Sequence, residues 1–145
     1  MILDIQNRLS NAQSLIVGAG DLVSTDVYDT GAAADVGIGE DIYLQIQIGT
    51  AALSATGTIQ FVLQCDDNVG FSSPKEYPLT LARLQALLGL NTVQYQGKLP
   101  IGLERFLRVV YRVGTAAFTA GTVHAFFAKE LQVAPTIATT VPGVK

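Results

Sequence analysis

The 145-residue sequence is poor in the residue types on which many catalytic and metal sites depend. It contains one cysteine, one histidine, one methionine and no tryptophan. Cys65 has no second cysteine to pair with, so the sequence gives no indication of a disulfide within the chain. A zinc site built from several cysteine and histidine ligands is excluded by count, since Cys65 and His124 are the only candidates.

Charge is also scarce. Charged residues make up 14% of the chain, against roughly 25% in an ordinary globular domain. Nine basic and twelve acidic residues give a net charge of −3, which is the wrong sign for binding phosphates, so we expect no nucleic-acid partner. Because surface charge keeps soluble proteins apart, its scarcity indicates that part of the surface contacts partners. The alternative is a small β protein with a neutral surface.

Long hydrophobic runs are missing as well. No stretch approaches the ~20 apolar residues that cross a bilayer, so no membrane partner is expected. The N-terminus lacks the basic start and the unbroken apolar stretch of a signal peptide. We therefore expect a soluble protein made in a cytoplasm.

What the sequence does contain is alternation of apolar and polar residues, which is typical of strands with one face in a core. The clearest strands are predicted at 41–49, 58–65, 104–113 and 122–131, with weaker ones at 22–29, 76–80 and 92–96. One short helix or helical turn is predicted within 79–90, where four leucines have helical spacing: Leu81, Leu84, Leu87 and Leu88. Short strands separated by glycine-bearing turns predict an all-β, antiparallel jelly-roll sandwich in a single domain spanning 1–145.

The two ends of the chain differ from its middle. An N-terminal arm of about 1–12 carries an apolar stripe that includes Ile2, Ile5 and Leu9. The tail of about 133–145 is uncharged until its last residue, and its prolines favour an extended course. We interpret both ends as arms that lie on a neighbouring subunit, the alternative being frayed termini. The interface residues predicted in the tail are Pro135, Ile137 and Val141.

A second candidate interface is a strand face that carries Phe106, Arg108 and Arg112, with Arg105 just before it. Arginine and aromatic residues are concentrated at the energetically important positions of protein contacts. The alternative is an exposed face with basic decoration.

Enzymatic and metal-binding motifs are weak. A Cys65–His124 nucleophilic pair is conceivable, but the position of Cys65 in its strand pattern favours a small buried hydrophobe. No serine lies in a G-x-S-x-G motif. The carboxylate pairs Asp35/Asp41 and Asp66/Asp67 leave open an ion site, or ordinary turn chemistry. We expect no enzyme and no cofactor.

The order and spacing of several short motifs resemble those of one known family. The motifs are STDV at 24–27, DVGIGEDIY at 35–43, LQCDD at 63–67, LPIG at 99–102, RFLR at 105–108, YRVG at 111–114 and FTAGTV at 118–123. From about residue 24 to residue 127, the chain resembles the capsid cement (decoration) proteins of tailed bacteriophages, of the type found in Bordetella phages.

This resemblance implies a jelly roll that binds the outer face of a phage head and bridges neighbouring major capsid subunits. It implies no catalytic residues. The expected partners are the phage major capsid protein and further copies of the chain, as a dimer or trimer at a symmetry axis of the shell. The expected location is the virion. An alternative function is a phage-encoded module for carbohydrate or host attachment, which would need exposed aromatic residues; the candidates are Tyr28, Tyr43, Tyr77 and Tyr95.

Overall fold

Ten strands and two short 3-10 turns form the regular structure of the described residues, 5–31 and 41–129, in a computed structural model of the chain. The strands are β1 (Arg8–Ser14), β2 (Gly20–Val23), β3 (Tyr28–Asp29), β4 (Tyr43–Ile48), β5 (Thr58–Asp66), β6 (Lys75–Pro78), β7 (Arg83–Leu84), β8 (Val93–Lys98), β9 (Phe106–Gly114) and β10 (Thr122–Ala128). The turns are Ile5–Asn7 and Gln85–Leu87. Within the described residues, no helix has the length and apolarity needed to span a membrane.

The strands form two antiparallel sheets. One sheet has the order β1-β10-β4-β8 and the other β2-β9-β5-β6, with β3 added to β9 and β7 added to β5. Early strands pair with late ones and the innermost strands pair with each other: β1 with β10, β2 with β9, β4 with β8, and β5 with β6. The chain is thus a long antiparallel hairpin wrapped into two sheets, which is a jelly roll. The predicted fold class is confirmed.

The core lies between the sheets and follows the alternation seen in the sequence. Leu44, Ile46 and Ile48 point inward from β4 and are essentially inaccessible to solvent. Phe61 and Tyr111 meet edge to face across the β5–β9 pair, with ring centroids 5.9 Å apart. The four strongest predicted strands are confirmed as β4, β5, β9 and β10, although β10 ends at Ala128.

The N-terminal part of the chain is a correction to the sequence analysis. Residues 8–14 form β1, an edge strand paired with β10, and Leu9 is 0% exposed within the core of its own chain. Leu9 is therefore not available to a neighbouring subunit. Alternation does not reveal β1, because the register shifts twice along it and Ala12 has a left-handed φ of 49°.

One buried hydrogen bond and several more exposed ones connect β1 to the opposite sheet. The Tyr111 hydroxyl lies 2.7 Å from Ser10 Oγ, which donates to Gln13 Oε1 at 2.6 Å. Gln13 in turn accepts a hydrogen bond from the Thr25 N–H and donates to the Val23 carbonyl. Because buried polar groups need partners, this network fixes the edge strand β1 against β2 and β9.

Segment 79–90 contains a single helical turn rather than a helix. Leu84 is paired with Thr58 in the short strand β7, and only Gln85–Leu87 form a 3-10 turn. Leu88 alone of the four helically spaced leucines is buried; the other three face solvent. The predicted short helical turn is confirmed. The helical spacing of the four leucines, however, does not correspond to one face of a helix packed on the core.

Candidate binding surfaces

The predicted arm residues divide into two groups. Ile2, Pro135, Ile137 and Val141 lie outside the described residues, as do Asp35 and the whole tail 133–145. The backbone of Ile5 begins the first 3-10 turn, next to β1. Of the arm residues predicted as interface, Leu9 is the one whose side chain the structure describes, and it lies in the core.

The predicted face on β9 exists and lies on the outer side of the β2-β9-β5-β6 sheet. Phe106, Arg108 and Arg112 alternate with the core residues Leu107 and Tyr111, so they point away from the core. All three side chains are partly exposed. We call this surface the arginine face.

Ion pairs neutralise much of the charge on the arginine face. Arg112 binds Asp21 through two hydrogen bonds of 2.9 and 3.0 Å, and it also donates to Glu76 at 2.9 Å. These bonds lower the pKa values of both carboxyls and raise that of Arg112. Arg105 likewise holds Asp29 with two bonds, and this lowers the pKa of Asp29 to about 2. The face is a fixed polar network rather than a free basic patch.

A second surface, not identified from the sequence, consists of exposed leucines. We call it the leucine surface: Leu53 (52% exposed), Leu81 (85%), Leu84 (55%), Leu87 (59%) and Leu90 (63%). Four of the five belong to the ten-residue segment 81–90. Exposed apolar patches on soluble proteins commonly mark contact sites.

Hydrogen bonds join Leu53 to the segment that carries the other four leucines. The Ala52 N–H donates to the Leu88 carbonyl at 3.0 Å, and the Ser54 N–H donates to Gln85 Oε1 at 2.6 Å. Leu53 lies between these two anchored residues. The Leu87 carbonyl is held in turn by Gln94 Nε2 at 2.9 Å. The leucine surface is thus built on hydrogen-bonded backbone.

The chain segments that carry the leucine surface, and several other strands, contain almost no charged residues. Segments 42–65, 84–97 and 113–128 contain no Asp, Glu, Lys or Arg, and they supply β4, most of β5, most of β8 and β10. Arg83, at the edge of the segment, donates to the neutral Gln94 at 2.9 Å. The scarcity of charged residues in the sequence is therefore not uniform, because it is greatest in these three segments.

The candidate catalytic and ion-binding residues do not form sites within the described residues. Cys65 is buried in the core, where burial raises the pKa of its thiol. His124 lies on the other sheet and accepts a hydrogen bond from the Ala12 N–H at 3.2 Å. Asp66 uses both oxygens to accept the N–H groups of Asn68 and Ser73, which is turn chemistry. No group of three or more metal-ligating side chains occurs in the part of the chain described.

The tyrosines proposed for carbohydrate binding are also partly buried. Tyr28 packs edge to face on Phe127 with ring centroids 5.2 Å apart, and Tyr77 and Tyr95 pack against the core. Tyr28 and Phe127 line a cleft of about 130 Å³ between the sheets, which is small beside the roughly 300–1,000 Å³ of typical ligand pockets. These four tyrosines do not form an exposed aromatic platform.

Fold and surfaces together define a small antiparallel jelly roll with a paired polar face and an uncharged apolar surface. A protein-family model, Bbp16, matches residues 9–127, which is most of the chain. The chain therefore belongs to the Bbp16 family, a Bordetella phage protein family. No curated protein sequence matches the chain. The family predicted from the motif order is confirmed.

Proposed function

We propose that the protein is a capsid decoration protein, which binds the outer face of a phage head and bridges neighbouring major capsid subunits. The leucine surface is the observation that carries this proposal. Burying one such side chain fully contributes about 1.5–3 kcal/mol, and contact centres are depleted in charged residues. Five exposed leucines, carried by segments 42–65 and 79–97 in which Arg83 is the one charged residue, suit a lasting protein contact.

Bridging needs two contact surfaces, and the molecule offers two of different chemistry. The arginine face lies on the outer side of the β2-β9-β5-β6 sheet, whereas the leucine surface is built from β7, the 3-10 turn after it and the loop that carries Leu53. A rigid sandwich holds them in a fixed relation. Binding to the assembled shell but not to free subunits stabilises the shell by mass action, and symmetry repeats the contact many times.

The proposal includes self-association as a dimer or trimer at a symmetry axis of the shell, and assembly in the host cytoplasm. It involves neither nucleic acid nor membrane. An uncharged surface can serve either a capsid subunit or another copy of the chain, because neither contact then brings like charges together.

The test measures binding of purified protein to emptied heads of the phage that encodes it. Wild-type protein should sediment with the heads, and the double variant Leu87→Asp/Leu90→Asp should bind at least about tenfold more weakly, because it places two charges in an apolar contact. Ile101→Asp is the matched control: Ile101 is 70% exposed in the β8–β9 connection, away from the leucine surface. The proposal fails if wild-type protein does not bind, or if the double variant binds as well as the control.

A further inference from the structure

Arg108, on the arginine face, has an unusually fixed guanidinium group. The guanidinium carbon lies 3.9 Å from the centre of the Phe71 ring, and Nε donates to Gln64 Oε1 at 2.8 Å. Phe71 is itself buried and has a left-handed φ of 49°, with its N–H bonded to the Asn68 carbonyl. A stacking contact and a hydrogen bond thus orient the guanidinium plane.

Among the described residues, no carboxylate forms an ion pair with Arg108, in contrast to its neighbours. Arg105 and Arg112 each bind carboxylates at 2.7–3.0 Å. The carboxylates that influence Arg108 electrostatically, Asp21 and Asp66, are already engaged. Asp21 binds Arg112 through both oxygens, and Asp66 accepts two backbone N–H groups. The side chain that accepts a hydrogen bond from Arg108 is the neutral amide of Gln64.

This arrangement leaves the donors at the end of the guanidinium group without an anionic partner from the described chain. A guanidinium group carries five N–H donors, and only the Nε–H is used in the Gln64 bond. Its terminal nitrogens form a planar fork that fits the two oxygens of one carboxylate. Immobilising the fork before binding reduces the entropy lost on association.

We propose that Arg108 is a preformed receptor for a single carboxylate side chain of a neighbouring protein subunit. It would thereby anchor the second contact surface of a bridging protein. A singly charged carboxylate fits better than a doubly charged phosphate group, because Asp21 and Asp66 act electrostatically on the Arg108 site and their repulsion grows with the negative charge of the ligand. The identity of the partner in this inference rests on the proposed function. The chemistry of the Arg108 site does not depend on it.

The first experiment measures the affinity of variants for emptied heads. Arg108→Gln should weaken binding at least about tenfold, in line with hydrogen bonds to charged groups. Arg108→Lys keeps the charge but not the planar fork, and should weaken binding at least about threefold. Lys98→Gln is the matched control: it removes the same charge from a side chain already paired with Asp41, on the other sheet, and should change the affinity less than about threefold.

The second experiment needs no heads. The Nε–H NMR signals of Arg108 and Arg105 are followed while the purified full-length protein is titrated with sodium acetate and, separately, with inorganic phosphate. Acetate should shift the Arg108 signal saturably and leave the Arg105 signal in place. A tighter response to phosphate than to acetate, or no saturable response, would overturn the carboxylate receptor.

The two experiments separate the possible failures. If wild-type protein does not bind heads, the proposed function fails, and the acetate titration still decides the nature of the Arg108 site. If wild-type protein binds heads and both Arg108 variants bind equally well, the inference fails and the proposed function stands. Urea unfolding of each variant checks the fold; if Arg108→Gln is unfolded, Arg108→Lys and the titration decide.

Discussion

At the scale of single residues, the buried hydroxyl of Tyr111 shows how one polar atom fixes an edge strand. Tyr111 is fully buried, and burial raises the pKa of its hydroxyl far above the ordinary value, so it acts as a neutral hydrogen-bonding group. Its partner Ser10 belongs to β1, on the opposite sheet. This buried hydrogen bond is one of those that link the two layers of the sandwich.

Tyr111→Phe should lower the free energy of unfolding by about 1 kcal/mol, because it removes this hydrogen bond while Ser10 keeps its bond to Gln13. Urea denaturation measures the change. Tyr95→Phe is the control: the Tyr95 hydroxyl has no hydrogen bond within the described part of the chain, and its removal should change the stability by less than about 0.5 kcal/mol. Equal effects of the two substitutions would contradict the role of the Ser10 bond.

At the scale of elements, the ion pair between Arg105 and Asp29 joins β3 to the start of β9. The pKa of Asp29 is lowered to about 2, first by its bond to Arg105 and then by the Gly31 N–H. A carboxyl with a lowered pKa in the folded state contributes stability above the unfolded pKa, and this contribution is lost as the pH falls through the folded value.

Asp29→Asn should therefore flatten the dependence of the melting temperature on pH between about 4 and 2. Wild-type protein should lose stability across this window, and the variant should lose less. Thermal melts at several pH values measure the difference. Asp26→Asn is the control, since the Asp26 carboxylate has no ion pair within the described residues. A variant curve parallel to that of the wild type would show that the pair does not contribute.

The segment that carries the leucine surface provides a second prediction at this scale. Leu88→Ala should destabilise the fold by about 2–5 kcal/mol, because Leu88 is fully buried and the substitution leaves a cavity. Leu87→Ala, at the adjacent exposed position, should change the stability by less than about 0.5 kcal/mol. Urea denaturation compares them directly. A large loss for Leu87→Ala would mean that Leu87 serves the fold rather than a partner.

At the scale of the whole molecule, the distribution of charge matters more than its total. Segments 42–65, 84–97 and 113–128 carry no charged residue, and the first two contain four of the five leucines of the leucine surface, while the arginine face carries paired charges. One part of the surface thus suits an apolar contact and another a polar one. This division is compatible with the bridging role proposed above.

If the protein stabilises a shell by binding only its assembled form, the melting temperature of emptied heads should rise with protein concentration. Above the dissociation constant, each tenfold increase in free protein should add about 1.4 kcal/mol per site. Differential scanning fluorimetry of the heads measures the rise. The Leu87→Asp/Leu90→Asp variant should need at least about tenfold more free protein to give the same rise. Heads that melt at one temperature at every wild-type concentration would contradict shell stabilisation.

The sequence by itself determined the fold class, the main strands and the family. Alternation in β4, β5 and β9 is read directly, because every second side chain of a strand meets the core. The sequence did not reveal β1, because the irregularity at Ala12 interrupts the alternation of apolar and polar residues. Its polar residues Ser10 and Gln13 form hydrogen bonds with Tyr111 and Val23, which belong to other strands.

Only the tertiary structure decided which apolar residues face solvent. Leu84, Leu87 and Leu88 follow one spacing in the sequence, yet Leu88 alone enters the core, because β7 pairs with β5 and limits the helical part to one turn. Likewise Arg105, Arg108 and Arg112 look alike in the sequence. Their partners Asp29, Gln64 and Asp21 come from other strands or their ends, so only folding separates the paired guanidinium groups from the one left for an external carboxylate.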